Sequence, residues 1–151
     1  MKNILIVDDY PLMRKKLIEI LREVYPAANI KEVGNGQEAL QQIMLLRWNL
    51  VLMDINMPGP NGLTTLITAK QLAKETPILM LSLNTEYFYA IKAIKSGASG
   101  FLTKESSFEE LIDAINEVQN GRKYITKALA SKCCKKENVE NPSLIEPYQS
   151  N

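Results

Sequence analysis

Residues 49–61 read Asn-Leu-Val-Leu-Met-Asp-Ile-Asn-Met-Pro-Gly-Pro-Asn, an apolar run that ends in an aspartate and leads into turn-forming residues. The four apolar residues at 50–53 are typical of a buried strand, and the Pro-Gly-Pro cluster at 58–60 breaks it. Asp54 is therefore predicted at the carboxyl end of an interior strand. Ligands bind at this edge of a parallel α/β sheet, so an acid there is either a costly structural accident or a working group.

The same kind of apolar run recurs along the chain and alternates with segments of helical periodicity. This alternation predicts an α/β fold, with a parallel five-stranded sheet covered by helices on both faces. The predicted strands are residues 4–7, 30–33, 50–53, 78–81 and 100–102. The predicted helices are residues 11–24, 36–46, 62–74, 86–95 and 108–119.

Length and composition predict one domain with a tail. The domain is expected over residues 1–123, a short helix over residues 124–136, and a flexible linker or tail over residues 137–151, whose composition is polar and proline-containing. The net charge is +1, which gives no global electrostatic case for nucleic acid or a membrane surface. Two adjacent cysteines form no disulfide framework, and no signal peptide or membrane span is evident. A cytoplasmic protein is expected.

Polar residues stand at the carboxyl ends of four predicted strands: Asp8 and Asp9, then Asp54, Ser82 and Lys104. If the strands are parallel, these residues converge on one edge. Three crowded carboxylates raise one another's pKa unless a cation neutralises them, which implies a hard divalent ion. Oxygen ligands with no His or Cys nearby favour Mg²⁺.

This set of residues suits phosphoryl transfer to an aspartate. Asp54 is the candidate nucleophile, while Lys104 supplies a fixed positive charge and Ser82 a hydroxyl donor to the phosphoryl oxygens. Simpler interpretations stay open for single residues. Asp8 and Asp9 could interact favourably with the dipole at the N-terminus of the following helix. Ser82 could cap a loop, and Arg14 on the first helix could be a solvated cation.

These residues resemble the receiver domain of two-component response regulators over about residues 2–121. The resemblance is carried by Val-Asp-Asp at 7–9, Met-Asp-Ile-Asn-Met-Pro-Gly at 53–59, Leu-Ser at 81–82, and Gly-Ala-Ser-Gly-Phe-Leu-Thr-Lys at 97–104. It implies a flavodoxin-like, doubly wound sheet of strand order 2-1-3-4-5. It also implies that a sensor histidine kinase phosphorylates Asp54.

The resemblance also implies roles for individual residues. Asp9, Asp54 and the backbone carbonyl of Asn56 would bind Mg²⁺ directly, and Asp8 through water. Ser82 and Lys104 would hold the phosphoryl group. Phe101 matches an aromatic switch position, which turns inward when the Ser82 hydroxyl is drawn toward phosphate.

The residues after Lys104 are most similar to the subfamily whose receiver precedes a helix-turn-helix output domain. Such a domain needs roughly 60 further residues of helical pattern, which the 151 residues do not supply. Either a truncated transcription regulator or a stand-alone receiver acting by protein–protein contact is expected. A homodimer through helix faces is a further possibility, and no direct nucleic-acid contact by this chain is expected.

Two other functions compete with a phosphoacceptor switch that is not an enzyme. A phosphatase of the haloacid dehalogenase type also uses an aspartate, a hydroxyl, a lysine and Mg²⁺. It needs a second aspartate two residues after the nucleophile, where this chain has Asn56. A scaffold domain without phosphorylation would not need the complete acid set.

Overall fold

The computed structural model describes residues 1–57, 61–83 and 87–127. Strands and helices alternate in this part of the chain. The strands are β1 (Asn3–Val7), β2 (Asn29–Val33), β3 (Leu50–Asp54), β4 (Ile78–Ser82), β5 (Gly100–Thr103) and β6 (Tyr124–Ile125). The helices are α1 (Pro11–Val24), α2 (Gly36–Leu45), α3 (Gly62–Leu72), α4 (Tyr87–Lys95) and α5 (Phe108–Gln119).

The strands form one parallel sheet in the order β2-β1-β3-β4-β5-β6. This confirms the predicted flavodoxin-like α/β fold and the order 2-1-3-4-5. The two-residue strand β6, which the sequence did not predict, extends the sheet beyond β5, where Ile125 pairs with Phe101. Because the strands are parallel and in register, their carboxyl ends meet along one edge.

The core lies on both faces of the sheet, because successive strand residues point to opposite sides. Along β3, Val51 and Met53 belong to the apolar cluster that contains buried residues of α2, α3 and α4. Leu50 and Leu52 belong to the cluster with α1 and α5. Strands buried on both faces need continuous apolar runs, which explains why residues 50–53 carry no alternation.

Short side-chain caps fix where three of the helices begin. Asn35 accepts a hydrogen bond from the amide of Glu38, and Asn61 from the amide of Thr64. Ser107 accepts one from the amide of Glu110. These caps use amide groups that the first turn of a helix leaves without partners, so each helix starts directly after its strand and loop.

The described part of the chain differs from the sequence prediction at its end. The predicted short helix was placed to begin at residue 124, but Tyr124 and Ile125 form a strand, because their amides and carbonyls meet the open edge of β5. Residues 128–136 of that predicted helix, the tail at 137–151, the turn at 58–60 and the predicted start of α4 at residue 86 lie outside the described residues. No helix among those described is long and apolar enough to cross a membrane.

Candidate functional site

Parallel pairing brings the predicted site residues to one edge of the sheet. Asp54 and Ser82 are the last residues of β3 and β4, and Asp8 and Lys104 directly follow β1 and β5. Asp8, Asp54 and Ser82 are almost fully buried. The apolar strands thus end in polar groups that have little access to water and therefore form few hydrogen bonds with solvent.

Lys104 is the cation that joins the acids of this edge. Its ammonium Nζ lies 2.8 Å from Asp8 Oδ2 and 3.2 Å from Asp54 Oδ2, and its side chain is only 10% exposed. The Lys104 amide donates to the Ser82 carbonyl at 2.8 Å, which fixes the lysine backbone against the end of β4. Within the described part of the chain, a single ammonium thus compensates two buried carboxylates, which leaves one negative charge in excess.

The burial and the charges of this site change the protonation of Asp54. The pKa of this carboxyl is raised from 3.8 to about 6, mainly by burial and in part by the neighbouring charge of Asp8, while the Asn56 amide and Lys104 act in the opposite direction. Burial alone would lower the pKa of Lys104, but its contacts with Asp8 and Asp54 outweigh burial and the pKa is raised. Lys104 therefore stays charged while Asp54 ionises reluctantly.

Asp8, Asp9 and Asp54 form a cluster that fits a divalent cation. One carboxylate oxygen from each residue lies within 4.8 Å of the others. Asp8 Oδ2 is buried and, among the described residues, accepts no aligned hydrogen bond, although Lys104 contacts it as an ion pair. Asp9 is exposed, so the cluster opens to solvent. Oxygen donors with one open side suit Mg²⁺, which keeps several waters.

Backbone amides hold the two buried carboxylates in orientation. Asp8 Oδ1 accepts from the Tyr10 amide at 2.9 Å, and Asp54 Oδ1 accepts from the Asn56 amide at 3.0 Å. In each residue the other oxygen, Oδ2, is the one that faces Lys104. The carboxylates are therefore fixed before any ligand arrives, which lowers the cost of binding one.

Arg14 corrects the sequence interpretation of a solvated cation. Its guanidinium donates to the Asp8 carbonyl at 2.6 Å and to Glu32 Oε1 at 2.7 Å. The side chain is 19% exposed and spans from α1 to the end of β2. Arg14 thus supports the turn that carries Asp8, and only the position of β2 beside β1 makes this role visible.

Gly62 is a second supporting residue that the sequence did not reveal. Its amide donates to the Ile55 carbonyl at 2.9 Å. A Cβ atom at this position would collide with the Asp54 carbonyl oxygen and with Ile55 Cα. The glycine therefore lets α3 begin directly against the backbone of the central aspartate.

Ser82 and Phe101, the two predicted switch residues, lie on the paired strands β4 and β5. Ser82 ends β4 beside Asp54, which pairs with Leu81. Phe101 is fully buried in the cluster with α4 and is partnered across the sheet by Ile125. The switch itself stays a prediction, since only an inward Phe101 is present.

Comparison with known proteins agrees with this geometry. Residues 4–116 match the family described as response regulator receiver domain. The chain is 36% identical over 129 residues to the transcriptional activator protein ExaE of Pseudomonas putida. The aligned region covers 85% of this chain and 60% of that protein. The chain is 30% identical over 150 residues to response regulator UvrY of Escherichia coli K12, covering 99% of this chain and 68% of that protein.

Solved structures give the same result. A two-component response regulator of the LuxR family from an Aurantimonas species superposes with a TM-score of 0.83 at 31% identity, covering 91% of this chain and 98% of that one. The receiver domain of the NarL regulator from Mycobacterium tuberculosis superposes with a TM-score of 0.71 at 28% identity, over 80% and 98% of the two chains. The match over residues 4–116, together with the strand order and the edge of acids and one lysine, shows that the chain belongs to the receiver-domain family of response regulators.

Proposed function

We propose that this receiver domain is a phosphoacceptor switch in which Asp54 takes a phosphoryl group from a sensor histidine kinase. The observation that carries the proposal is the contact of one Lys104 ammonium with two buried carboxylates, Asp8 and Asp54. Such a site holds a buried negative charge that its one ammonium does not neutralise, and a bound cation and a phosphoryl group would change this balance of charge. A purely structural ion pair would match one acid to one base.

The transfer is a displacement at phosphorus. An Asp54 carboxylate oxygen forms a bond to phosphorus while the phosphorus–nitrogen bond of the donor phosphohistidine breaks, and the leaving imidazole recovers a proton from water. The protein contributes position and charge rather than proton transfer. Lys104 leaves its ion pair with Asp54 to bind a phosphoryl oxygen, and the Ser82 hydroxyl donates to another.

Asp8, Asp9, Asp54 and the backbone carbonyl of Asn56 are the groups that would hold Mg²⁺. When bound, the ion neutralises the charge that develops on the phosphoryl oxygens. Asp8 Oδ1 and Asp54 Oδ1 remain tied to backbone amides, so the two carboxylates keep their orientation during the transfer.

Persistent phosphorylation is expected rather than turnover. A haloacid dehalogenase-type phosphatase would need an aspartate at the position of Asn56 to move a proton, and an amide cannot do so at neutral pH. Membership of the receiver family also favours a signalling role over an enzymatic one.

The output is proposed from the relatives. The first of them is named a transcriptional activator, and this chain spans 60% of its length. We therefore infer that the phosphorylated receiver regulates transcription, in the cytoplasm, through a further domain or through a partner. Phe101 and Ser82 are the proposed switch residues, and a homodimer through helix faces is one form that the active state could take.

Phosphorylation of the purified chain by a small donor tests the proposal directly. Incubation with acetyl phosphate and Mg²⁺ should add the mass of one phosphoryl group, and chelation of the metal should prevent it. Asp54→Asn should abolish the modification, whereas Asp113→Asn on the exposed face of α5 is the matched control and should not. Unchanged incorporation by Asp54→Asn would refute the assignment.

A further inference from the structure

One carboxylate oxygen ties the start of α5 to the chain that leaves the sheet. Glu110 Oε2 accepts hydrogen bonds from Tyr124 Oη at 2.8 Å, from Thr126 Oγ1 at 3.1 Å and from the Lys127 amide at 2.8 Å. Burial alone would raise the pKa of Glu110, but these donors outweigh it and the pKa is lowered. Glu110 is therefore ionised at neutral pH and acts only as an acceptor. Residues 124–127 are called the β6 segment below.

The same oxygen gives a direction to a row of three hydroxyl groups. Because an ionised carboxylate cannot donate, the Thr126 hydroxyl donates to Glu110 and must accept from Ser106 Oγ, 3.4 Å away. Ser106 Oγ in turn accepts from Thr103 Oγ1 at 3.2 Å. This hydroxyl chain therefore runs from Thr103 through Ser106 and Thr126 to Glu110, and its bonds polarise one another in one direction.

The hydroxyl chain begins at the residue next to Lys104. Thr103 and Ser106 bracket the lysine in the turn after β5, and the Ser106 amide donates to the Thr103 carbonyl at 3.1 Å. Lys104 extends from this turn to Asp8 and Asp54. The turn is thus joined at one end to the acidic site through Lys104 and at the other end to Thr126, which is 3% exposed.

The β6 segment also lies directly on the backbone of β5. Tyr124 N donates to the Ser99 carbonyl at 3.1 Å, and Thr126 N to the Phe101 carbonyl at 2.9 Å. A Cβ atom at Gly100 would come within 2.7 Å of the Tyr124 carbonyl oxygen, so the glycine permits this close approach. This pairing thereby fixes the position of Thr126 relative to Phe101 and Ser106.

We propose that Thr126 and Glu110 are positioning residues that couple the Lys104 turn to the β6 segment, so that a phosphoryl group at Asp54 tightens this segment. The inference rests on the proposed function, since it assigns a regulatory output to the same site. A phosphoryl group binds Lys104 and fixes its turn. The fixed turn holds Ser106 in place for Thr126, and Thr126 and Glu110 then hold the β6 segment.

Thermodynamic linkage makes the coupling testable from either end. If ligand binding at Asp54 favours the hydroxyl chain, loss of that chain must weaken ligand binding by the same factor. One hydroxyl hydrogen bond corresponds to a change of about threefold to tenfold in affinity. A mere tether for the end of the domain would change stability without changing affinity.

The experiment measures binding of beryllium fluoride with Mg²⁺, a phosphoryl mimic, to the full 151-residue chain by calorimetry. Thr126→Val, which keeps shape and removes the hydroxyl, should weaken binding about threefold to tenfold. Ser106→Ala interrupts the same hydroxyl chain one residue earlier and should weaken binding of the mimic by a similar factor. This second variant keeps the test valid if Thr126→Val folds poorly. Thr126→Ser should restore the wild-type affinity.

Tyr124→Phe is the matched control, because it removes one donor to Glu110 and leaves the hydroxyl chain intact. Its affinity should stay within about twofold of wild type even if its stability falls. In the wild type, the mimic should also slow hydrogen exchange of the Lys127 amide. The coupling alone would be overturned if Thr126→Val and Ser106→Ala both bound the mimic as tightly as the wild type. It would also be overturned if Tyr124→Phe weakened binding as much as those two variants do. Absence of binding by the wild type would overturn the proposed function as well.

Discussion

Replacing Asp54 by asparagine should make the metal-free protein more stable at neutral pH. The Asp54 carboxyl has its pKa raised from 3.8 to about 6 by burial, so its ionisation opposes folding. A carboxyl whose pKa is higher in the folded state than in the unfolded state stabilises the native state at pH values below the unfolded pKa. This contribution is lost as the pH rises through the folded pKa. The full shift corresponds to at most about 3 kcal/mol. Screening at the solvent side of the site reduces this to about 1–2 kcal/mol.

Urea unfolding with a chelator present measures this difference. Asp54→Asn should exceed the wild type in free energy of unfolding at about pH 7.5 and should nearly match it at about pH 4, where the wild-type carboxyl is protonated in the folded state. The asparagine can still accept from the Asn56 amide, and Lys104 keeps Asp8. Glu75→Gln, which removes an 85% exposed carboxylate, is the control and should change little. Equal or lower stability of Asp54→Asn at about pH 7.5 would refute the argument that charge is stored at this site.

Three further changes test the same site. Mg²⁺ at a hundred times its dissociation constant should stabilise the wild type by about 2.7 kcal/mol in thermal unfolding, and Asp9→Asn should reduce this gain at the same metal concentration. Lys104→Ala should destabilise by about 3 kcal/mol near pH 7.5, because it leaves two buried carboxylates uncompensated; a loss below about 1 kcal/mol in urea unfolding would contradict this. Gly62→Ala should cost roughly 1–3 kcal/mol and impair phosphorylation of Asp54, whereas Gly34→Ala, where a Cβ would meet only an ordinary contact at 3.5 Å, is the control for both measurements.

The sequence predicts the sheet well because each buried strand must be a continuous apolar run. Residues 50–53 can be recognised without knowledge of their neighbours, and the alternation with helices leaves few possible topologies. The site follows from the same logic. Asp8, Asp54 and Lys104 stand directly after such runs, so parallel pairing alone brings them to one edge.

Supporting residues could not be predicted, because their roles depend on contacts between distant segments. Arg14 looks like any helix-surface cation until β2 places Glu32 beside it. Gly62 looks like the start of a helix until its backbone meets that of Asp54. The strand β6 has only two residues and no periodicity, so neither it nor the acceptor role of Glu110 has a local signal.

The arrangement of charges argues that this edge is built for a ligand rather than for stability. Natural cores pair buried charges or omit them, since an uncompensated carboxylate costs several kcal/mol. Here Asp8 and Asp54 share one ammonium, while Arg14, Gly62 and backbone amides hold them in place. At a pH above about 6, where Asp54 is ionised, rigid support around this unfavourable charge leaves ligand binding as the remaining means of relief. Because Lys104 belongs to that charge balance and also to the turn joined to Thr126, relief of the charge and a change at the β6 segment are expected to occur together.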